Sequence, residues 1–266
     1  MTILVGIDDS APSRSALSWA ISRAKGSGEG VRLVHVIDDE WGQVGSAYAG
    51  AARESGAHLV ADAARAVQFG ARGVSVEESV LVGSPAWTLA AEATPGDLLV
   101  VGTHKTGYLH GRVLGSRSIV IASTARSSVA VIPDSPVHAG RSVIVGVAPG
   151  RWREAVSFGA KEAANTGDEL VLVHAVPEDS PPHAVDEARS LLSEARAFAA
   201  AQPGAPTEIR SRISRRQPAS ALLDAARGAR MLVVSPTRGP VDRAGFVGSV
   251  THAILLNITS PVVVAR

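Results

Sequence analysis

The 266-residue chain contains no cysteine, which excludes a disulfide framework, a thiolate metal site and a thiol nucleophile. Neither sign of charge is in excess: 26 basic residues face 25 acidic ones, a net charge of +1, too balanced for a general nucleic-acid binder. The start, Met1-Thr2-Ile3-Leu4-Val5, has no basic leader and enters a buried strand at once. No long apolar stretch follows, so neither a signal peptide nor a membrane span is expected, and the cytoplasm is the default location. Strand one lacks the G-x-G-x-x-G of a dehydrogenase, and the loops of adenylating ligases (His-x-Gly-His, Ser-Gly-Gly-x-Asp-Ser) are missing as well. No Ser/His/Asp set is ordered as a catalytic triad. Lysine is scarce, at three positions (Lys25, Lys105, Lys161), so a lysine in a loop stands out.

What the chain does contain, it contains twice. Val5-Gly6-Ile7-Asp8-Asp9-Ser10 returns as Val145-Gly146-Val147-Ala148-Pro149-Gly150, an offset of 140. Leu33-Val34-His35-Val36 returns as Leu172-Val173-His174-Ala175 at 139, and Gly115-Ser116 as Gly248-Ser249 at 133. A slowly shrinking offset with the landmarks in order marks a duplicated domain with loop deletions, since solenoid units repeat every ~20–50 residues. The expected division is 1–138 and 139–266. Split at Gly140, the first copy has 11 basic and 13 acidic residues (−2), the second 15 and 12 (+3).

Each copy alternates short apolar runs with longer Ala-rich stretches, the pattern of repeated βαβ units. In the first copy, strands are expected at 3–7, 31–37, 74–81, 98–102 and 129–132, with helices at 13–24, 47–69, 85–93 and 116–125. In the second, strands are expected at 143–147, 170–176, 208–213, 232–235 and 262–265, and helices at 152–164, 182–201, 219–227 and 249–256. Unbroken Val/Ile/Leu runs suit strands covered on both faces. The fold class is therefore α/β: two tandem doubly wound, five-stranded parallel-sheet (Rossmann-like) domains. Their ligands belong beyond the carboxyl ends of the strands, at the switch in strand order.

Two strand ends of the first copy carry unusual chemistry. Strand one ends in Gly6-Ile7-Asp8-Asp9-Ser10, a carboxylate and a hydroxyl at the turn into a helix. Strand four ends in Gly102-Thr103-His104-Lys105, and Gly115-Ser116 opens the next helix. A bare Gly at a strand end lets backbone approach a ligand closely, and a helix N-terminus with a hydroxyl suits phosphate. Alone, an Asp after a strand or a Gly-Ser before a helix is an ordinary cap. Together, at the ends of adjacent strands, they point to a site.

On these residues the chain resembles a tandem universal stress protein, two domains of that family covering nearly all of it. The family's adenine-nucleotide motif, G-x2-G-x9-G-[ST], is matched at Gly102, Gly115 and Ser116, and Asp8 matches its strand-one aspartate. Gly83-Ser84-Pro85 and the run from Asp97 to Gly102 are similar too. The chain departs from the motif at Lys105 and from the strand-one pattern at Asp9, where the family often has glycine. The resemblance implies a non-enzymatic regulatory stress-response protein that binds ATP or another adenine nucleotide, with or without Mg²⁺. It implies that Gly6, Ile7 and Asp8 meet the adenine and ribose end, that Val36 lines the base pocket, and that Val101 and Gly102 make backbone contacts. It also implies that Gly115, Ser116, Arg117 and Ser118 cradle the phosphates. Lys105 either crowds the phosphate loop or pairs with phosphate; pairing is favoured, because its flexible stem can point away from the loop.

In the second copy Asp8 has become Ala148, Gly102 has become Ser235 and Lys105 has become Arg238, so it is expected to be a structural partner that holds no nucleotide. The competing reading gives Arg151, Arg153, Arg238 and Arg243 another anion. His35 and His174 have no second ligand at metal spacing and read as structural. The fifth strands are apolar, and an unpaired apolar edge is a liability. They are expected to pair within the chain as a pseudo-dimer, joined through 133–140, with a homodimer through helix faces as a further possibility. The rival functions are a scaffold that binds no nucleotide and, third, a weakly ATP-hydrolysing enzyme.

Overall fold

In the computed structural model, residues 1–39, 46–103, 108–109, 112–113, 116–134, 140–236 and 247–266 are described. The chain forms two compact units that divide after Asp134.

The first unit runs β1 (Thr2–Gly6), α1 (Ala11–Ser27), β2 (Gly30–Ile37), α2 (Ser46–Gly70), β3 (Val76–Val82), α3 (Pro85–Glu92) and β4 (Leu98–Thr103). Then come two-residue strands β5 (Tyr108–Leu109) and β6 (Arg112–Val113), α4 (Ser116–Thr124) and β7 (Ser128–Pro133). Its five long strands are all parallel, in the order β3-β2-β1-β4-β7. Ile3 sits opposite both Val31 and Leu98. The chain winds outward from β1 one way to β2 and β3, then the other way to β4 and β7, so the switch falls between β1 and β4. β5 and β6, an antiparallel pair, were not expected from the sequence.

Ile3, Val5, Leu98, Leu99 and Val100 are fully buried, because helices cover both faces of a parallel sheet. Helix α1 presents Ala16, Ala20 and Ala24 to that core, each wholly buried. Four-residue steps put them on one stripe, and their small size lets the helix lie close to the sheet. Ser10 caps its start, accepting from the Ser13 N–H at 3.2 Å, and Pro12 fits the first turn, where no N–H partner is needed. It stops at Gly28, whose φ of 69° is left-handed.

The second unit repeats the plan: β8 (Ser142–Gly146), α5 (Arg153–Thr166), β9 (Glu169–Ala175), α6 (Ala184–Ala200) and β10 (Ile209–Ser214), followed by α7 (Pro218–Ala226), β11 (Met231–Val234), α8 (Ser249–Leu256) and β12 (Val262–Val264). Its strand order is β10-β9-β8-β11-β12, again parallel. Among the described residues, no helix is long and apolar enough to cross a membrane.

Candidate functional site

Each unit has a hollow beyond the carboxyl ends of its first and fourth long strands, where the strand order switches. In the first unit it measures about 190 Å³, and its lining includes Gly6, Ile7, Asp8, Val36, Val101 and Gly102 together with Arg117 and Ser118. Eight residues singled out from sequence thus converge on one cavity from four elements. Of the rest, Ser116 is the first residue of α4, whereas Lys105 and Gly115, like His104, lie outside the described residues.

The turn after β1 is tied on both sides. Ile7 N–H donates to the Val34 carbonyl at 2.8 Å, and the Ile7 carbonyl accepts from His35 Nδ1 at 2.8 Å. The backbone of Ile7 is therefore spent within the sheet, and what it offers the cavity is its side chain. Asp8 stands exposed at the mouth, where Oδ1 accepts from both the Ser10 N–H (3.0 Å) and the Ser10 hydroxyl. Ser13 Oγ accepts from Asp8 N–H at 2.9 Å and donates to the Gly6 carbonyl at 3.4 Å. Asp8 therefore braces the cap of α1 with one oxygen, while Oδ2 has no partner among the described residues. Capping of α1 thus uses one oxygen of this carboxylate and leaves the second over.

Gly102 lines the cavity, but its missing side chain answers to something other than a ligand. A Cβ there would lie 2.2 Å from the carbonyl carbon and oxygen of Pro12 and 2.7 Å from the Ser13 nitrogen. The glycine is required because the first turn of α1 packs directly on it. The sequence suggested a close ligand at this glycine, and the structure shows a close helix there.

On the far side, Arg117 forms an ion pair with Asp38 at 2.9 Å, and Ser118 Oγ donates to Thr103 Oγ1 at 3.3 Å. Asp38 follows β2 and was not singled out from sequence. It is 79 positions from Arg117, and only the fold brings them together. Ser10 and Pro85, which the sequence motifs contained, also line it, and Ser13, Val34, Ala86, Leu89 and Ile121 complete the lining unforeseen.

The second unit departs from this pattern. Its hollow is larger, about 510 Å³, and has Ala148 and Ser235 where the first has Asp8 and Gly102. Ala11 is five residues past Gly6, but Arg153 is seven past Gly146, so α5 starts later than α1. A Cβ at position 235 could not coexist with a helix start as close as that of α1, and the later start leaves space. Trp152 precedes α5, its ring edge-on to Phe198 at 5.3 Å and 4.6 Å from the Arg153 guanidinium. Arg153 also pairs with Glu194 at 2.7 Å, so that arginine is engaged by the chain itself. Arg238 and Arg243 lie outside the described residues. His174 repeats the bond of His35, its Nδ1 lying 2.7 Å from the Val147 carbonyl. Both histidines thus serve as ties between strand two and the exit of strand one.

The model of the universal stress protein family matches this chain twice, over residues 1–133 and 141–266. A universal stress protein of Mycolicibacterium smegmatis is 30% identical over 289 residues, covering 99% of this chain and 96% of its own. One from Mycobacterium tuberculosis is 30% identical over 288 residues, with the same coverage. Among solved structures, a universal stress protein from Archaeoglobus fulgidus superposes with a TM-score of 0.77 at 18% identity, covering all of this chain and 98% of its own. At that identity, the likeness speaks for the fold.

Proposed function

The chain belongs to the universal stress protein family, and from that premise we propose that its first unit is a regulatory module that binds an adenine nucleotide, ATP or a close relative, without turning it over. The carrying observation is the convergence of Asp8, Val36, Val101, Gly102, Arg117 and Ser118 on one cavity at the strand-order switch. Pockets that enclose a drug-sized ligand measure ~300–1,000 Å³; at about 190 Å³, this one suits the base end of a nucleotide, with the phosphates over its open edge. The apolar side chains of Ile7, Val36 and Val101 would face the base. The free oxygen of Asp8 would accept from the base or ribose, and Ser116 and Ser118 at the start of α4 would meet the phosphates, with Lys105 adding charge.

Among the described residues, no group of three His, Asp or Glu stands ready to hold a metal ion. Any Mg²⁺ would therefore arrive on the phosphates and be completed by water. The second unit, lacking the carboxylate and the glycine, serves as partner rather than as a second nucleotide site. The apolar last strands β7 and β12 are proposed to pair within the chain and cover each other's edges. A cytoplasmic location fits this role.

The Arg117–Asp38 pair favours one rival reading, a scaffold that binds no nucleotide, because it already engages a cation meant for phosphate. Calorimetric titration with ATP, AMP and adenosine separates the two. Asp8→Ala should weaken binding about tenfold or more, the ~1.5–3 kcal/mol of a charged hydrogen bond. Asp8→Asn keeps an acceptor for Ser10 and isolates the charge. Wild-type affinity in both variants would remove Asp8 from the site.

A further inference from the structure

The hollow of the second unit is larger than that of the first and chemically unlike it. Its walls are mainly Val147, Pro149, Val173, Leu222 and Val234. Among the described residues no Asp or Glu lines it, and Arg151, the one Lys or Arg among them, is exposed, where water screens its charge. Ser235 lines the hollow as well, and its Oγ is buried with no hydrogen-bond partner among the described residues. A buried hydroxyl without a partner is uncommon in folded proteins, and a ligand acceptor would satisfy it. A neighbouring hollow of about 420 Å³ shares Pro149, His174 and Ala175 with the first, so a bound molecule has room to extend. At about 510 Å³, the main hollow already falls within the ~300–1,000 Å³ that enclose drug-sized ligands.

We propose that this hollow, beyond β8 and β11, is a binding site in its own right for a neutral, largely apolar small molecule carrying one hydrogen-bond acceptor. The Ser235 hydroxyl would donate a hydrogen bond to the acceptor, and the body would lie against the apolar walls, where burial drives association. A purine suits the site poorly, because it is polar around its whole edge, whereas the walls are mainly apolar and their described polar side chains are few: Ser235, Thr251, His174 and the exposed Arg151. The replacement of Asp8 by Ala148 thereby becomes a change of ligand class. The later start of α5 supplies the volume, and Ser235 supplies both the steric reason for that start and the polar contact.

The test uses Nile red, a neutral solvatochromic dye with a ring carbonyl, titrated into the full chain. One saturable site with blue-shifted emission is expected, and ATP should fail to displace the dye. Ala148→Trp places a large ring at an exposed position on the mouth and should lower the affinity at least about tenfold, with far-UV circular dichroism showing that the fold is kept. Ser235→Ala, which removes only the hydroxyl, should lower it about three- to tenfold. Displacement by ATP would put the dye in the first unit's cleft, and unsaturable binding would mean surface adsorption. Either result, or unchanged affinity in either variant, overturns the proposal.

Discussion

Replacing Gly102 by serine gives the first unit the residue that stands at the matching position of the second. The new Cβ would begin 2.2 Å from the Pro12 carbonyl and 2.7 Å from the Ser13 nitrogen, whereas ordinary van der Waals contact starts near 3.4 Å. To reach ordinary contact, the first turn of α1 must withdraw by about 1.2 Å. The atoms in the way are backbone, so no side-chain rotation relieves the clash. Withdrawal pulls Ser13 away from Asp8 N–H and the Gly6 carbonyl, and strains the Ser10 cap. Overpacking costs about 1–3 kcal/mol and a lost cap about 1 kcal/mol, so a destabilisation of about 2–4 kcal/mol is expected. Urea unfolding followed by circular dichroism measures it as a lower midpoint for the transition that includes the first unit, and calorimetry should show weaker ATP binding as Asp8 shifts with its cap. Ser235→Gly, the reverse exchange, should leave the midpoint within about 1 kcal/mol, because α5 already starts farther along. A loss under about 0.5 kcal/mol for Gly102→Ser would refute the claim that α1 packs on bare backbone there.

Three further outcomes follow from the same residues. Lys105→Ala should weaken ATP more than adenosine, by a margin that shrinks with added salt; equal losses would show that the lysine only shapes its loop. Asp38→Asn should release Arg117 from an ion pair that is 65% exposed on the arginine side, tightening ATP a few-fold and leaving adenosine unchanged, since exposed pairs are worth about 0–1 kcal/mol; a loss of ATP affinity would mean that Asp38 itself assists binding. A fragment of residues 1–138 should self-associate or lose solubility through the exposed edge of β7; sedimentation showing a soluble monomer would end the account of paired last strands.

The architecture was legible because its signals are local and repeated. Apolar runs alternating with Ala-rich stretches gave every long strand and helix to within three residues, the largest miss being the end of α1, expected at 24 and found at Ser27. Gly102 shows where such reading stops. A bare glycine at a strand end fits a close ligand or a close helix equally well in sequence, and only the position of Pro12 decides between them. Asp38 escaped notice because an aspartate after a strand looks like any turn residue until α4 brings Arg117 against it. The size of the second hollow was hidden as well. Pro149-Gly150 reads as a loop, and nothing local says that such a loop delays a helix start by two residues and opens a cavity.

The paired ties of His35 and His174 have a consequence for the rings themselves. A carbonyl can only accept, so each Nδ1 must be the donor in its bond with Ile7 or Val147. That choice fixes which ring nitrogen carries hydrogen, and Nε2 takes no part in the tie. Each histidine thus works as a side-chain rung between two neighbouring strands, set at the point where the backbone ladder of strand one ends.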